Sequence, residues 1–431
     1  MRRIADELDL TPLEVIRRNL VPAEEMPYRT ASGALLDSGD YEAVVDLACG
    51  DRRYEGLLER RRAARAEGRW FGVGCAAVVE PSISNMGYIT ALLTPQERER
   101  AGPKNGGTAI ATVSVDPSGG VAVTAASTPQ GQGHRTVLAQ VVADVLGLAP
   151  GDITVNLELD TQKDPWTIAS GNYSSRFAGA VAGTAHQAAI RVRDKLARIA
   201  APALNARPDD LRFAAGRIFE SSNPDNGQSL ARVAGIAHWS PGALPPDMAP
   251  GIHERVAWTM PELEPPDPED KVNSSGAYGF LFDLCTVEID PDTAQVRIDT
   301  YITAHDAGRR LNPALVDGQI RGGFAQALGA ALLEELKYDE EGNFLSGTLA
   351  DYLIPTSVEV VEPLILHLDH PSPFTPLGAK GVGEGNSMST PVCLANAVAD
   401  ALGLHTVELP LTPLRVARYL DAANPGKDAA P

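Results

Sequence analysis

The N-terminal part of the chain shows a helical pattern of apolar positions. Apolar residues between Ile4 and Ile16 recur at helical spacing, and Thr11 with Glu14 forms a capping box at the start of the second of two short helices. A further helix is predicted for about 40–66. Nothing that precedes this amphipathic stretch in the sequence could pack against it. We therefore expect residues 1–66 to be a helical segment that packs on a partner half-subunit.

From residue 70 the apolar pattern changes to short runs typical of β-strands, separated by longer helical stretches. A hairpin that turns at 116–119 is the clearest strand signal. The segment 222–272 is rich in Pro, Gly and Asp, and it is the predicted boundary between a first lobe at 67–245 and a second lobe at 246–431. The mixture of elements predicts an α+β fold with two α/β lobes. The predicted helices of this part are 134–147, 178–200, 313–336 and 391–402, and the later predicted strands lie near 282–303 and 363–369.

The charge balance limits the classes of partner. The chain has 431 residues with 37 basic and 56 acidic side chains, which gives a formal net charge of −19. Nucleic acids and anionic membranes are bound through a basic face, so we expect neither as a partner. The sequence has no apolar run long enough for a membrane span and no signal-peptide core at its start, which predicts a cytoplasmic protein.

The four cysteines lie far apart, at Cys49, Cys75, Cys285 and Cys393. None has the C-x-x-C spacing of a zinc or iron–sulfur ligand set, so we expect no such metal site within this chain. A chain this long does not need disulfides to hold its core. Reduced thiols are therefore the favoured interpretation, although an even number of cysteines leaves disulfides open.

The first of three glycine-rich loops, PQGQGH, lies between a predicted strand and the helix at 134–147. Gly131 and Gly133 would let the backbone approach a ligand closely, and the helix start at His134 offers free N–H groups to an anion. An ordinary tight turn explains the same residues. The loop is neither G-x-G-x-x-G nor a P-loop, which disfavours nucleotide-binding enzymes of those types.

The second glycine-rich segment is the helix predicted at 313–336. Each interior glycine of a helix costs about 1 kcal/mol relative to alanine, so we expect something bulky against this backbone, either a neighbouring helix or a flat cofactor. Gln319 and Gln326 lie seven residues apart on one face and could form amide hydrogen bonds. Close helix packing is an equally good interpretation. The glycines in question are Gly318, Gly322, Gly323 and Gly329.

The third loop is GAKGVGEG at 378–385. Glu384 stands among small residues, and Lys380 is the one charged side chain near it in sequence. A carboxylate in a narrow, partly dry loop would have a raised pKa and could act as a general base. A solvent-exposed turn glutamate is the alternative. Thr390 and Pro391 then predict the N-cap and first residue of the last predicted helix.

Taken together and in order, these segments resemble the signatures of the molybdenum hydroxylases, the xanthine dehydrogenase and aldehyde oxidase family. PQGQGHRTVLAQVVADVLGL resembles the family's pterin-binding segment, and LDTQKDPWTIASGNYSSRFAGAVAGTAHQAA is similar to the segment that passes the metal centre. DAGRRLNPALVDGQIRGGFAQALGAALLEEL and GAKGVGEGNSMSTPVCLANAVADALG are similar to its last two signatures. The resemblance covers nearly the whole chain and implies a molybdenum-cofactor-binding domain of the aldehyde oxidoreductase type.

The resemblance also implies a role for each motif. Glu384 would be the general base of a hydroxylation whose oxygen comes from water, and Gln319 would hydrogen-bond the pterin. The cofactor's dithiolene sulfurs would hold molybdenum, so no protein ligand to the metal is expected. Two positions depart from the family's usual motifs: Arg135 stands where Glu is frequent, and Ala307 stands where Cys is usual. The other implied cofactor-binding residues are Gly131, Gln132, Gly133, His134, Tyr173, Ser174, Ser175, Lys380, Gly381 and Gly383.

The family's molybdenum subunit is much longer, and this chain resembles only its C-terminal part. The resemblance therefore implies three partners: a complementary N-terminal half-subunit, an iron–sulfur subunit with 2Fe-2S clusters, and an FAD subunit. We expect a natural split subunit rather than a fragment. The implied cofactor is molybdopterin, in its cytosine dinucleotide form, and the implied substrate is a small molecule such as an N-heteroaromatic ring or an aldehyde. A non-catalytic cofactor-binding or assembly subunit is the alternative.

Overall fold

The computed structural model describes residues 2–85, 87–101, 107–158, 160–162 and 171–423. Within these residues the chain forms two four-stranded sheets, a three-stranded sheet and a two-stranded ribbon. Helices alternate with the strands along the chain, which confirms the predicted α+β class. No helix in these ranges has both the length and the apolar character needed to cross a bilayer.

The N-terminal segment is largely helical. Its elements are α1 (Arg2–Glu7), α2 (Pro12–Arg17), β1 (Tyr28–Arg29), β2 (Leu35–Leu36), α3 (Tyr41–Cys49) and α4 (Arg53–Ala66). The predicted capping box is confirmed, because the Glu14 amide donates to Thr11 Oγ1 at 3.2 Å and the Thr11 amide donates to Glu14 Oε2 at 2.7 Å. The single helix predicted for about 40–66 is in fact two helices. Asp51 and Arg52 separate them, with left-handed φ values of 53° and 57°.

The apolar face of this segment packs on its own chain. Tyr41 stacks on Phe280 with ring centroids 4.2 Å apart, and Leu13, Ile16 and Val44 belong to the same buried cluster. Burial of such a face is the main stabilising contribution available to short helices. The predicted packing of residues 1–66 on a partner stays a prediction.

The middle of the chain builds the first large sheet and contributes one strand to the second. Its elements are β3 (Trp70–Ser84), α5 (Pro95–Ala101), β4 (Ala109–Val115), β5 (Val121–Ala125), α6 (His134–Leu146), β6 (Ile153–Asn156), α7 (Gly183–Leu204), β7 (Leu211–Ala214), β8 (Arg217–Glu220), β9 (Asn223–Ser229), α8 (Leu230–Trp239) and β10 (Ile252–Trp258). The strand order is β10-β4-β5-β6, and α6 connects the parallel strands β5 and β6. The β4–β5 hairpin turns at 116–119, as predicted. Strands β7, β8 and β9 form the small sheet.

The second large sheet has the order β13-β12-β11-β3. Its new elements are β11 (Ser275–Ile289), β12 (Val296–Asp306), α9 (Pro313–Leu332), β13 (Leu364–Leu368), α10 (Gly385–Leu402) and α11 (Pro413–Ala423). Successive residues of β11 face opposite sides, so Leu284 joins the cluster with α3 while Cys285 joins the cluster with α9 and α10. Helices thus cover both faces of this sheet.

The strand pairing does not follow the predicted lobe boundary at 245/246. Strand β3, assigned to the first lobe, pairs with β11 of the second lobe from Trp70 to Ser84. Strand β10, assigned to the second lobe, pairs with β4 of the first. The segment 222–272, predicted as a boundary, contributes β9, α8 and β10. Local composition carries no information about which distant strand a segment pairs with, so these exchanges could not be predicted from it.

Helix α10 begins at Gly385, six residues before the predicted start at Pro391. Thr390, the predicted N-cap, is buried inside the helix, and its Oγ1 lies 2.8 Å from the Tyr301 hydroxyl. The early start places the glycine-rich loop directly against the helix N-terminus. A side chain at Gly385 would meet Glu80 Oε2 and Leu281 Cδ2 at 2.7 Å, so this turn of helix needs glycine.

Candidate functional site

The three glycine-rich segments meet at one cleft of about 270 Å³. The cleft lies between the start of α6, the first turns of α9, the turn at 172–178 and the loop that precedes α10. A larger cavity of about 560 Å³ lies between the N-terminal helices and β3, and none of the predicted site residues lines it. The predicted residues that line the smaller cleft are Gln132, His134, Ser175, Gln319, Lys380, Gly381, Gly383 and Glu384.

The loop before α6 presents its backbone to the cleft. Gly131 and Gly133 have φ values of +100° and +85°, which favour glycine. A Cβ on Gly131 would have no heavy atom of the described residues within 4 Å, whereas one on Gly133 would meet Leu315 Cδ1 at 2.5 Å. Gln132 lines the cleft, and its Oε1 accepts a hydrogen bond from the Gln130 amide at 2.5 Å. The loop therefore leaves open space at Gly131 and packs against α9 at Gly133.

His134 is fully buried at the start of α6. Its ring stacks on Phe177 with centroids 3.6 Å apart, and burial lowers its pKa to about 4, so the imidazole is neutral at pH 7. Its Nδ1 lies 3.4 Å from Ser127 Oγ. The described protein atoms offer no hydrogen-bond partner to its buried Nε2. A buried polar atom of this kind at the wall of a cleft is a position where a ligand can supply the missing partner.

The turn before α7 is strained and fixed to β3. Ser174 and Ser175 have left-handed φ values of 55° and 40°, a conformation that costs about 1–3 kcal/mol for residues other than glycine. The Ile83 amide donates to the Ser174 carbonyl at 3.0 Å, and the Ser84 amide donates to Ser174 Oγ at 3.2 Å. Ser174 therefore anchors the turn, while Ser175 reaches the cleft. Tyr173 is half-buried beside this turn and outside the cleft lining, and residues 163–170 of the same signature lie outside the described structure.

The loop before α10 is pressed against its neighbours. A Cβ on Gly381 would meet Ser175 Cβ at 2.6 Å and Ser82 Cβ at 2.8 Å. A Cβ on Gly383 would lie 3.4 Å from Gln319 Oε1 and 3.5 Å from Ser175 Oγ. The glycines here permit close approach of three segments to one another. Gln319 is thereby brought next to the loop that carries Glu384.

Lys380 does not pair with Glu384. Its ammonium donates to the Ser38 carbonyl at 2.9 Å and lies 3.4 Å from Asp306 Oδ2, and the side chains of Lys380 and Asp306 are fully buried. The sequence suggested Lys380 as the charged neighbour of the glutamate, because only three residues separate them. In the folded chain the ammonium is instead committed to a buried ion pair.

Glu384 lines the cleft, and the residue as a whole is exposed to solvent. Partial burial of the carboxyl group raises its pKa, and hydrogen bonds from the Ser174 amide and the Ser175 hydroxyl oppose that shift. Glu384 is the residue immediately before α10, but its side chain does not cap the helix. The carboxylate is thus held at the cleft with a raised proton affinity, which suits a general base.

The sequence analysis missed Glu80. This residue lies on β3, is 1% exposed, and accepts hydrogen bonds from Ser175 Oγ and from the Glu384 amide, both at 3.0 Å. Burial raises the pKa of its carboxyl group to about 7. The signal available in the sequence was a single acid at the end of the apolar run FGVGCAAVVE. An acid in a buried strand requires compensating donors, and here Ser175 and the backbone before α10 provide them.

The two departures from the family motifs have different positions. Arg135 is exposed and turns away from the cleft, to Glu158 at 3.0 Å and to the Val155 carbonyl at 2.6 Å. Ala307 is buried and lines the cleft, and its carbonyl accepts from the Lys380 amide at 2.9 Å. Only the change at Ala307 therefore alters the wall of the site.

The chemistry of the cleft fits a phosphate-bearing pterin. The side chains of Gln132 and Gln319 can donate and accept at ring edges, and the buried Nε2 of His134 has no hydrogen-bond partner among the described residues. Arg309 and Arg310 line the same cleft; Arg309 can supply positive charge for phosphate, whereas Arg310 is paired with Asp369 at 2.8 and 3.1 Å. Open space at Gly131 allows a ligand to approach the backbone.

Comparison with known proteins agrees with this fit. A family model described as molybdopterin cofactor-binding domain matches residues 50–361. The nicotine 6-hydroxylase large subunit of Paenarthrobacter nicotinovorans is 33% identical over 97% of this chain and 48% of its own length. The carbon monoxide dehydrogenase large chain of Hydrogenophaga pseudoflava is 28% identical over 98% and 50%, respectively. The crystal structure of quinoline 2-oxidoreductase from Pseudomonas putida 86 matches with a TM-score of 0.83 and 33% identity, over 97% of this chain and 50% of that one.

The chain spans about half the length of these relatives. The family match covers most of the chain, including the PQGQGH loop, the turn at Ser175 and Gln319, while the loop with Glu384 lies beyond it but within the region shared with the relatives. The resemblance drawn from the sequence is confirmed: the chain belongs to the molybdopterin cofactor-binding domain family of the molybdenum hydroxylases.

Proposed function

We propose that this chain is the catalytic, cofactor-binding half of a molybdenum hydroxylase. Such an enzyme inserts oxygen derived from water into an electron-poor C–H bond of a small molecule. The observation that carries the proposal is the convergence of Glu384, Gln319 and His134 on one cleft, where the buried Nε2 of His134 has no partner within the described part of the chain. A cofactor-binding wall and a candidate base are therefore adjacent in one folded chain.

The residues that would hold the cofactor are those with unused polar groups at the cleft. Gln319 and His134 would hydrogen-bond the pterin, and Arg309 would face its phosphates. Gly131 would allow the backbone to approach, and Gln132 would exchange its bond to the Gln130 amide for one to the ligand. When bound, the molybdenum cofactor would supply the electron-accepting centre of the reaction. We favour the cytosine dinucleotide form, because the loop at Gly131 allows a ligand to approach the backbone closely.

Glu384 would take up a proton at its carboxylate as the water-derived nucleophile attacks the substrate carbon. Its raised proton affinity brings the pKa closer to neutral pH, where a general base is most effective. Ser175 and the Ser174 amide would hold the carboxylate in place by hydrogen bonds. In this chain alone Glu384 is exposed, so exclusion of water from the site would fall to a complementary half-subunit.

We infer that partners complete the enzyme. The relatives of similar sequence are named large subunits or large chains, and this chain spans about half of their length. A complementary half-subunit, an iron–sulfur subunit with 2Fe-2S clusters and an FAD subunit would complete the active site and carry electrons away. The four cysteines are free thiols, although the sulfurs of Cys285 and Cys393 lie 3.4 Å apart, and free thiols suit a reducing compartment such as the cytoplasm. The iron–sulfur clusters would lie in a partner.

We propose an N-heteroaromatic substrate. Nicotine 6-hydroxylase and quinoline 2-oxidoreductase, two of the relatives at 33% identity, act on nitrogen heterocycles by name. Ring carbons next to such a nitrogen are electron-poor, as the proposed nucleophilic attack requires. An aldehyde is the second class of substrate compatible with the same chemistry.

The test is a Glu384→Gln substitution in the assembled, molybdenum-loaded complex. Turnover of N-heteroaromatic compounds with an artificial electron acceptor should fall by about 100- to 10,000-fold, because the amide cannot accept the proton. Molybdenum content and unfolding temperature should stay at wild-type values. Glu341→Gln is the matched control and should retain full turnover, because Glu341 lies at an exposed turn and does not line the cleft. Near wild-type turnover of the loaded Glu384→Gln complex would refute the proposal.

A further inference from the structure

Glu384 is the residue immediately before helix α10, but its side chain does not cap the helix. The carboxylate of a different acid, Glu80, takes that role. The first N–H groups of a helix need acceptors, which the side chain of the N-cap residue ordinarily supplies. The Glu384 side chain makes no such bond. Instead Glu80 Oε1 accepts from the Glu384 amide at 3.0 Å, and the Gly385 amide also hydrogen-bonds the Glu80 carboxylate.

The same carboxylate holds the serine that contacts Glu384. Ser175 Oγ lies 3.0 Å from Glu80 Oε1, and the Ser175 hydroxyl also hydrogen-bonds the Glu384 carboxylate. A hydroxyl has one proton to donate, so the two acids compete for it. Glu80 is thus joined to Glu384 twice, through the backbone of α10 and through Ser175.

The surrounding backbone is built closely around Glu80. Hypothetical Cβ atoms on Gly381 and Gly385 would lie 3.4 Å from Glu80 Oε1 and 2.7 Å from Glu80 Oε2, respectively. Glycine at both positions lets the loop close over the carboxylate. Glu80 itself is 1% exposed, so water cannot replace these donors.

We propose that Glu80 is a positioning residue for Glu384: it caps α10 from a neighbouring strand and frees the Glu384 side chain to face the cleft. This inference rests on the proposed function for the role of Glu384, but the geometry of the cap is independent of it. The charged group that repels the Glu80 carboxylate is Glu384. Lys380 does not offset this repulsion, because its ammonium is directed to Asp306 and Ser38.

Two substitutions should differ in their effect on the pH dependence of turnover. Glu80→Gln should leave the acidic limb of the kcat profile close to its wild-type position, because a carboxyl group with a pKa of about 7 is already largely protonated and neutral at that pH. Ser175→Ala removes a hydrogen bond that stabilises the charged form of Glu384 and should shift the same limb to higher pH. A general loosening of the fold would not shift the limb in one variant and spare it in the other.

The experiment uses the assembled, cofactor-loaded complex and adds a readout that does not depend on turnover. Hydrogen–deuterium exchange of the backbone amides at 381–386 should be about tenfold faster in Glu80→Gln, because a charge-assisted acceptor is lost. We expect kcat to fall about 10- to 100-fold with KM changed less than about threefold, since substrate contacts remain.

Asp283→Asn is the matched control. Asp283 is also a fully buried carboxylate beneath α10, but it accepts from the Ser389 and Tyr301 hydroxyls rather than from the loop amides. This variant should lower the unfolding temperature while leaving exchange at 381–386 and the acidic limb at wild-type values.

The inference is overturned if Glu80→Gln leaves amide exchange at 381–386 unchanged, or if Asp283→Asn speeds that exchange equally. If Glu80→Gln does not assemble, an unshifted limb in Ser175→Ala overturns it. A complex that hydroxylates no substrate would refute the proposed function, while the exchange measurement would still decide whether Glu80 holds the loop.

Discussion

Lys380 Nζ lies 3.4 Å from Asp306 Oδ2, and both side chains are completely buried beneath the glycine-rich loop. The ammonium also donates to the Ser38 carbonyl at 2.9 Å, which ties the loop to the segment before α3. The Gly308 and His370 amides donate to the other oxygen of Asp306 at 3.0 and 3.1 Å. Lys380 therefore anchors the glycine-rich loop from its buried side. The resemblance drawn from the sequence had instead implied a direct contact between Lys380 and the cofactor.

Lys380→Met should destabilise the chain strongly. Removing one member of a buried ion pair leaves the other charge uncompensated, at a cost of about 3–5 kcal/mol in the free energy of unfolding. The double variant Lys380→Met/Asp306→Asn should recover part of that loss, because no buried charge remains. Denaturant unfolding of the purified proteins measures both values. A loss below about 1 kcal/mol together with impaired cofactor retention would instead support the direct cofactor contact predicted from the sequence.

His305 should make stability depend on pH. Burial lowers the pKa of His305 to about 3, so between that value and the unfolded pKa near 6.5 only the unfolded state binds the proton. The stability that the neutral ring supports is complete above about pH 6.5 and is lost as pH falls, at about 1.4 kcal/mol per pH unit.

Comparison with His305→Gln isolates this effect, because groups with opposite pH dependence, such as Glu80, are present in both proteins. The difference in unfolding free energy between wild type and His305→Gln should change by about 1.4 kcal/mol per unit between pH 5.5 and 4.5, in favour of the variant at lower pH. Chemical unfolding at several pH values provides the measurement. Parallel curves for the two proteins would show that His305 is not the titrating group.

Gly381→Ala and Gly322→Ala should have opposite effects on stability. A methyl group at Gly381 would meet Ser175 Cβ at 2.6 Å and Ser82 Cβ at 2.8 Å, and overpacking of this kind costs about 1–3 kcal/mol. Gly322, on the exposed side of α9, has no heavy atom within 4 Å of its Cβ position, so alanine should stabilise the helix by about 1 kcal/mol. The free energies of unfolding of the two variants decide the matter. Equal effects would mean that the loop before α10 yields to the added methyl group.

The sequence by itself determined the local features of this protein. The capping box at Thr11, the hairpin at 116–119 and the helix that starts at His134 all depend on residues a few positions apart, and each is confirmed. The ordered glycine-rich signatures were sufficient to identify the family and to indicate Glu384 as a candidate base, because each signature consists of neighbouring residues in the sequence.

Tertiary structure alone decided the features that join distant parts of the chain. The pairing of β3 with β11, the partner of Lys380 and the contact of Glu80 with the Glu384 amide each bring together residues dozens to hundreds of positions apart. Hydrogen bonds and ion pairs gain their strength from burial and exact placement, and neither can be read from local spacing. That is why Glu80 was missed and Lys380 was given the wrong neighbour.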